Sequence, residues 1–133
     1  MRRTVMLLTL SCLAVGLVAG SAIAGVTPGT YTGKTAQKKS VKLKVSAKQV
    51  TLLNFSIELK CHDGSILVDQ ESGFEPSTLK NGKFSDVQVG SGDTVKYSGK
   101  VAGKKATGTL KVTDKVGKVA CASPNVKFTA HSK

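Results

Sequence analysis

The densest group of chemically reactive side chains is the segment 61–65, which reads Cys-His-Asp-Gly-Ser. Its thiol, imidazole, carboxylate and hydroxyl are groups that nucleophilic and general acid–base catalysis use. Asp63-Gly64 is also a typical β-turn pair, and successive side chains on a strand point to opposite faces. Nothing nearby resembles the strand–turn–helix that presents a nucleophile beside an oxyanion hole. We therefore interpret the segment as a hairpin turn and expect a protein that is not an enzyme.

Two cysteines, Cys61 and Cys121, remain once the leader peptide described below is removed, because Cys12 lies inside that leader. In an exported chain two cysteines most simply form one disulfide. The bond would close a loop of about 60 residues, which is worth roughly 4 kcal/mol in the chain-entropy treatment. A catalytic thiol is the alternative for either cysteine, and an oxidising compartment disfavours it.

Two carboxylates, Glu58 and Asp69, are predicted to lie directly opposite each other across a hairpin, where they could hold Ca²⁺ or share a proton. Calcium takes six or more oxygen ligands, and no aspartate-rich loop supplies the others. His62 and His131 lack the spacing of metal ligands. We therefore predict a solvated surface at these positions and no cofactor.

Positive charge is the strongest bias in the composition. The chain has a formal net charge of +12, and after loss of Arg2 and Arg3 it keeps +10, with 18 lysines and no arginine. Lysine is a hydrated point charge, whereas arginine is the usual residue for reading phosphates and bases in a fixed geometry. The composition favours salt-sensitive, non-specific association with polyanions and argues against specific nucleic-acid binding. The candidate contacts lie in or near predicted hairpin turns and are Lys38, Lys39, Lys100, Lys104 and Lys105.

Aromatic side chains give no sign of a surface for single-stranded nucleic acid. Such a surface would place aromatic rings among the lysines, where bases could stack on them. Five aromatic residues fall instead on the predicted inner faces of strands: Tyr31, Phe55, Phe84, Tyr97 and Phe128. They are therefore predicted to belong to the core.

The element that specifies its own pairing most completely is the hairpin 94–114. A two-residue loop at Gly103-Lys104 suits a type II′ turn, since glycine adopts positive φ at little cost. The arms then pair Val95 with Val112, Tyr97 with Leu110, Gly99 with Gly108 and Val101 with Ala106, all on one face. This alternation predicts a half-buried antiparallel pair.

Two further turns predict hairpins. The strand 53–61 has an apolar face, and a type I′ turn at Asp63-Gly64 would pair Cys61 with Ile66 and Leu59 with Val68. Asn81-Gly82 predicts a second hairpin, with Leu79 opposite Phe84.

The valines that follow Phe84 are out of phase with it. Val87 and Val89 are an odd number of residues from Phe84, so an unbroken strand would place them on the opposite face. A β-bulge near Ser85-Asp86 would bring all three to the buried face. We therefore predict a bulge at this point.

Residues 1–24 have the pattern of a secretory signal peptide. Arg2 and Arg3 precede an apolar run from 5 to 18, and Ala22-Ile23-Ala24 is a small-x-small cleavage signal. A retained membrane anchor is the alternative, but the run is shorter than the ~20 residues that a bilayer requires. We expect a secreted, extracytoplasmic domain of residues 25–133 with no membrane span.

The mature chain has about nine predicted short strands and no 11-residue window with a helical apolar stripe. Short strands at close spacing predict an all-β, single-domain protein with one disulfide. The architecture is either an antiparallel β-sandwich or a flattened up-and-down barrel.

The order of motifs resembles that of small secreted β-proteins of actinomycete-like bacteria, which have no assigned function. The motifs are the leader, a YxGK start, a strand that ends in Cys before a DG turn, YSGKVAGKKATGTLKV, and a late Cys before VKFTA. The resemblance implies export and a β-fold and supplies no functional residue. We expect a non-enzymatic domain that binds polyanionic envelope material or another protein. A small inhibitor or ligand carrier is the alternative.

Overall fold

Ten β-strands make up the regular structure of residues 25–133, the part of the chain that this computed structural model describes. The predicted signal peptide lies outside the described residues. The all-β prediction is confirmed, with ten strands rather than about nine. The strands are β1 (Gly29–Thr35), β2 (Ser40–Val45), β3 (Gln49–Cys61), β4 (Ile66–Ser72), β5 (Ser77–Thr78), β6 (Lys83–Val89), β7 (Asp93–Ala102), β8 (Lys105–Val116), β9 (Val119–Ala122) and β10 (Val126–Ser132).

The strands form one closed antiparallel sheet. Its order is β10-β1-β2-β3-β9-β8-β7-β6, and β10 also pairs with β8 and so returns the sheet to its start. Strands β4 and β5 both pair with β3 outside this path. The predicted hairpin 94–114 corresponds to β7 and β8. It is the centre of the closed sheet, because β8 pairs with three strands, β7, β9 and β10.

Strand β8 carries two partners on the same edge. Strand β7 pairs with it from Lys105 to Asp114, so β10 and β9 must share the other edge. Between them the backbone of Val112 would lack a partner, and Ser123 supplies one. The Val112 amide donates to Ser123 Oγ (2.9 Å), and the Ser123 amide donates to the Val112 carbonyl (2.8 Å). A serine thus completes the sheet where no strand continues.

A glutamine side chain completes β3 in the same way. Strand β2 pairs with β3 up to Phe55, and β9 pairs with it only at Lys60 and Cys61. Between these pairings, the Glu58 amide donates to Gln37 Oε1 (2.8 Å) and Gln37 Nε2 donates to the Glu58 carbonyl (3.1 Å). The β1–β2 turn is therefore fixed to the sheet through one side chain.

The disulfide between Cys61 and Cys121 is confirmed. The two residues lie directly opposite each other on β3 and β9, with 3.9 Å between their Cα atoms. Because β9 meets β3 at only two positions, the bond covalently joins the closed path of strands where its pairing is shortest.

The β7–β8 hairpin has the predicted register throughout, and Gly103 has the positive φ that its turn requires. Facing glycines leave room on the inner face of this pair. A Cβ atom at Gly99 would lie 2.7 Å from Cζ of Phe84, and one at Gly108 would lie 2.7 Å from Cε1 of Phe128. The glycines therefore admit one ring from each flanking strand.

The core is filled by side chains from the inner face of the sheet. The five predicted inward aromatic residues are all buried. Phe74 comes from the loop after β4 and packs between Phe55 and Tyr97, with ring centroids 5.7 Å and 6.1 Å away. The remaining core is aliphatic, mainly valine, leucine and isoleucine.

The predicted register of the β3–β4 hairpin is wrong by one residue. Ile66 lies opposite Lys60, and Val68 lies opposite Glu58. The turn contains three residues instead of two, since Cys61 and Ser65 form the last hydrogen-bonded pair and Gly64 has a φ of 85°. The extra residue turns Ile66 and Val68 outward and Asp69 inward.

The structure also corrects the prediction for the β5–β6 region. Asn81-Gly82 forms the predicted turn, with positive φ at both residues. The segment before it leaves β6 after the Lys80–Lys83 bridge, and Ser77–Thr78 pairs with β3 instead. Strand β6 pairs with β7 without a bulge, so Val87 and Val89 face outward.

A further hairpin was not predicted. Val116 pairs with Val119 around Gly117-Lys118, and Gly117 has a φ of 62°. This turn uses the same dipeptide as Gly103-Lys104.

Candidate functional site

The outer side of the sheet carries ten exposed lysines on six consecutive strands. We call this surface the lysine face: it extends across β6, β7, β8, β10, β1 and β2. Its lysines occupy strand positions that alternate with the core residues, so period-2 alternation directs them all outward. They are Lys34, Lys42, Lys44, Lys83, Lys96, Lys100, Lys105, Lys111, Lys115 and Lys127.

One row of directly paired residues crosses the whole lysine face. It runs from β6 to β2 and consists of Lys83, Lys100, Thr107, Thr129, Lys34 and Ser40. With strands about 4.8 Å apart, six strands span roughly 24 Å. The row therefore presents ammonium groups and hydroxyls along a length that suits an extended polymer.

Two pairs of lysines face each other directly on this surface. Lys83 lies opposite Lys100, and Lys96 lies opposite Lys111. Like charges at such positions destabilise a sheet, because their Cβ atoms are only about 5 Å apart. A bound anion would relieve both repulsions, so the lysine face favours an anionic ligand.

Acidic residues lie mainly on the opposite side of the sheet. Five of the eight carboxylates occupy inward positions, which leaves the lysine face strongly positive. They are Asp69, Glu71, Asp86, Asp93 and Asp114.

Glu71 has the most perturbed environment of these acids. It lies opposite Phe55 on the inner side of β4. Burial, together with the nearby carboxylates of Asp69 and Asp93, raises its pKa to about 8. The structure thus brings several carboxyl groups together at the inner edge of β4 and β7, and their proximity favours the neutral form of Glu71.

The predicted polyanion contacts do not form one cluster. Lys105 lies opposite His131 of β10, whereas the turn that carries Lys38 and Lys39 lies near the other end of that strand, where the Ala36 amide donates to the Lys127 carbonyl. Lys104 is at the tip of the β7–β8 hairpin. Lys100 and Lys105 belong to the lysine face. The other three lie in turns at two separate ends of the sheet.

Lys100 instead shares a surface cleft with two lysines that sequence reasoning missed, Lys80 and Lys83. The cleft has a volume of about 970 Å³. The segment 76–81 lines one side, and β6, β7 and β8 line the other with hydroxyls of Ser85, Ser98 and Thr107. The register of β6 with β7 places Lys83 opposite Lys100. A prediction of a regular β6 without a bulge could have identified this pair.

The residues of the 61–65 segment do not assemble as a catalytic group. Cys61 is bonded to Cys121, so it has no free thiol. The Asp63 carboxylate accepts hydrogen bonds from the amide (2.9 Å) and the hydroxyl of Ser65, and these bonds hold its pKa below the usual value. The side chain of His62 is exposed. The hydrogen bonds between Asp63 and Ser65 stabilise the turn between β3 and β4.

The prediction that Glu58 and Asp69 lie opposite each other is wrong, because the three-residue turn shifts the β3–β4 register by one residue. Glu58 lies opposite Val68, and Asp69 lies opposite Ile57. Within residues 25–133, no group of three or more histidine, cysteine, aspartate or glutamate side chains has the arrangement of a metal site.

Residues 25–133 contain no helix with the length and apolar character needed to cross a bilayer. Comparison of the chain with protein-family models, with curated proteins and with solved structures gives no match.

Proposed function

We propose that this chain is a non-enzymatic, extracytoplasmic β-domain that binds anionic polymers of the cell envelope through the lysine face. The observation that carries the proposal is the row from Lys83 to Ser40, together with the directly opposed lysine pairs. The disulfide is consistent with an extracytoplasmic location, where such bonds persist.

Binding of this kind derives its free energy mainly from charge neutralisation and counterion release. Lysine ammonium groups attract phosphate and carboxylate alike and impose little geometry. Exposed charges are screened over about 8 Å at physiological ionic strength, so affinity must fall as salt rises. The lysine face therefore suits a repetitive polyanion better than a single defined ligand.

The occupied interior supports surface binding over the ligand-carrier alternative. Tyr31, Phe55 and Tyr97 are buried on the inner face of the sheet, and Phe74 packs against the last two. A carrier needs an apolar cavity of some hundreds of Å³ for its ligand. In this protein the four aromatic side chains occupy the inner face of the sheet, where a carried ligand would have to lie.

We predict that the double substitution Lys83→Glu/Lys100→Glu weakens retention of residues 25–133 on immobilised long-chain polyphosphate and on purified cell-wall polymer. The control Lys60→Glu/Lys118→Glu changes the net charge equally, at exposed lysines outside the lysine face. Each lost contact should lower the slope of log affinity against log salt by about 1, so the first variant loses about 2 and the control almost none.

Affinities are measured in a sodium chloride series. Equal losses in the two variants would show that net charge alone governs binding. Retention that salt does not change would contradict an electrostatic mechanism.

A further inference from the structure

Strand β6 has one edge that no other strand covers along most of its length. Within residues 25–133, β6 pairs with β7 on one side and meets the other side only at the Lys80–Lys83 bridge. An open edge of this kind is a template for pairing with another chain, and proteins usually protect it. Beyond Lys83, β5 lies close to β6 and the Gln88 side chain bonds to Glu75, but among the described residues no backbone hydrogen bond from another strand covers this edge.

The hydrogen bonds of the hairpin show which backbone groups are open. The Val101 amide donates to the Gly82 carbonyl (2.7 Å), so residue 82 and every second residue after it face β7. The amide and carbonyl groups of Ser85, Val87 and Val89 therefore point away from β7. Only the Val87 amide has an acceptor among the described residues, and this is the neighbouring Asp86 carboxylate (2.8 Å).

Two solvent-exposed side chains along this edge are apolar, although exposed strand positions are usually polar. Val87 is 53% exposed and Val89 is 75% exposed, both on the outer face. They are directly next to the open backbone groups, so a strand laid along this edge would cover both.

The start of β6 adds positive charge to the same edge. Lys83 begins the strand, Lys100 lies opposite it, and both line the cleft together with Lys80. A strand that ran antiparallel to β6 would bring its C-terminal end to these three lysines. Charge complementarity then requires carboxylates at that end.

We propose that the free edge of β6 binds an extended acidic peptide segment as an additional antiparallel strand. Backbone hydrogen bonds to Ser85 and Val89 provide the pairing, and alternate apolar side chains of the peptide cover Val87 and Val89. The acidic C-terminal part of the peptide contacts Lys80, Lys83 and Lys100. A saccharide or polyphosphate cannot form this ladder, because it lacks regularly spaced amides.

A second copy of the chain fits the edge less well. Pairing of two β6 strands would join two lysine faces into one sheet, and like-charge repulsion opposes this. Strand β4 also has an open edge with the exposed residues Ile66 and Val68, but the strand carries Asp69 and Glu71 and no lysine, so it offers no complementary charge to an acidic peptide.

The test uses residues 25–133 and an eight-residue synthetic peptide of alternating valine and threonine that ends in three glutamates. A second peptide has the same sequence with N-methyl groups on the amides that would pair with β6. Calorimetry measures both affinities, and we expect N-methylation to weaken binding at least about tenfold, because it removes donors but no charge.

Ser85→Pro provides the protein side of the test, since its amide faces the open edge and the substitution leaves the ladder with β7 intact. We expect the same tenfold loss of peptide affinity, with unchanged salt elution from polyphosphate, which separates this proposal from the lysine-face proposal. The matched control is Val68→Pro at the open edge of β4, which should bind the peptide within about twofold of wild type.

Equal affinity for the two peptides would overturn the proposal, as would no detectable binding of the first. The peptide comparison needs only the wild-type protein, so it holds even if a proline variant fails to fold. A wild-type dimer that Ser85→Pro dissociates would assign the edge to a second copy and would also overturn the proposal.

Discussion

Replacing Cys61 and Cys121 together by serine is expected to lower the free energy of unfolding by roughly 4 kcal/mol. The bond spans a sequence separation of 60 residues, and a loop of that length restricts the unfolded chain by about this amount. Single domains have a net stability of only about 5–15 kcal/mol, so the loss is a large share of the total. The short β9 should be the first element to separate from β3, since only two residue pairs join them.

Urea denaturation of the variant and of wild type, followed by circular dichroism, measures this difference. Wild type treated with a reductant is the control and should unfold at the same urea concentration as the double-serine variant. A difference below about 1 kcal/mol between oxidised and variant protein would contradict the role assigned to the bond.

The second large effect is a loss of stability as pH rises, caused by Glu71. Its pKa is about 8 in the folded protein, against 4.5 as the ordinary value. Between these values the folded state holds a proton that the unfolded state lacks, so the free energy of unfolding decreases as pH rises and levels off above about 8. The groups that oppose its ionisation are Asp69 on its own strand and Asp93 on β7, and Asp114 lies opposite Asp93.

Glu71→Gln should therefore flatten the fall in stability between pH 5 and pH 8. The gain at pH 8 should be on the order of 1–2 kcal/mol, below the full linkage value because the side chain is partly solvated. Thermal unfolding at several pH values measures the slope. Glu75→Gln is the control, because it makes the same substitution in the exposed loop after β4, and it should keep the wild-type slope. Parallel curves for wild type and Glu71→Gln would contradict this assignment.

The register of the central hairpin could be predicted because several local features agree. Gly103 fixes the turn, and Tyr97 and Leu110 then lie opposite each other on the buried face. The β3–β4 register could not be predicted in the same way. Asp63-Gly64 is compatible with both a two-residue and a three-residue turn, and the second is stabilised by hydrogen bonds from Ser65 to Asp63 that the spacing of apolar residues does not reveal.

Strand β6 shows why apolar spacing alone misled the prediction. Burying Val87 and Val89 required a bulge, yet the structure keeps a regular ladder and places Asp86 and Gln88 inward. Gln88 Nε2 donates to the Tyr97 hydroxyl (3.1 Å) and to the Glu75 carbonyl (2.9 Å), so the inward amide is satisfied. These partners are distant in sequence and become neighbours only in the folded sheet.

Only part of the lysine face could be predicted from the sequence. Alternation within each strand identifies its outward lysines, including Lys100 and Lys105. Their assembly into one surface depends on strand order, because Lys34 joins the row of Lys83 and Lys100 only through the pairing of β10 with both β8 and β1.

The most direct test of the lysine face is a titration of isotope-labelled residues 25–133 with polyphosphate, followed by amide chemical shifts in two-dimensional NMR. Binding at this surface predicts the largest shifts at Lys34, Lys100, Thr107 and Thr129, with loss of those shifts at high salt. Shifts concentrated on β3 and β4, or spread evenly over every exposed lysine including Lys60 and Lys118, would contradict the account.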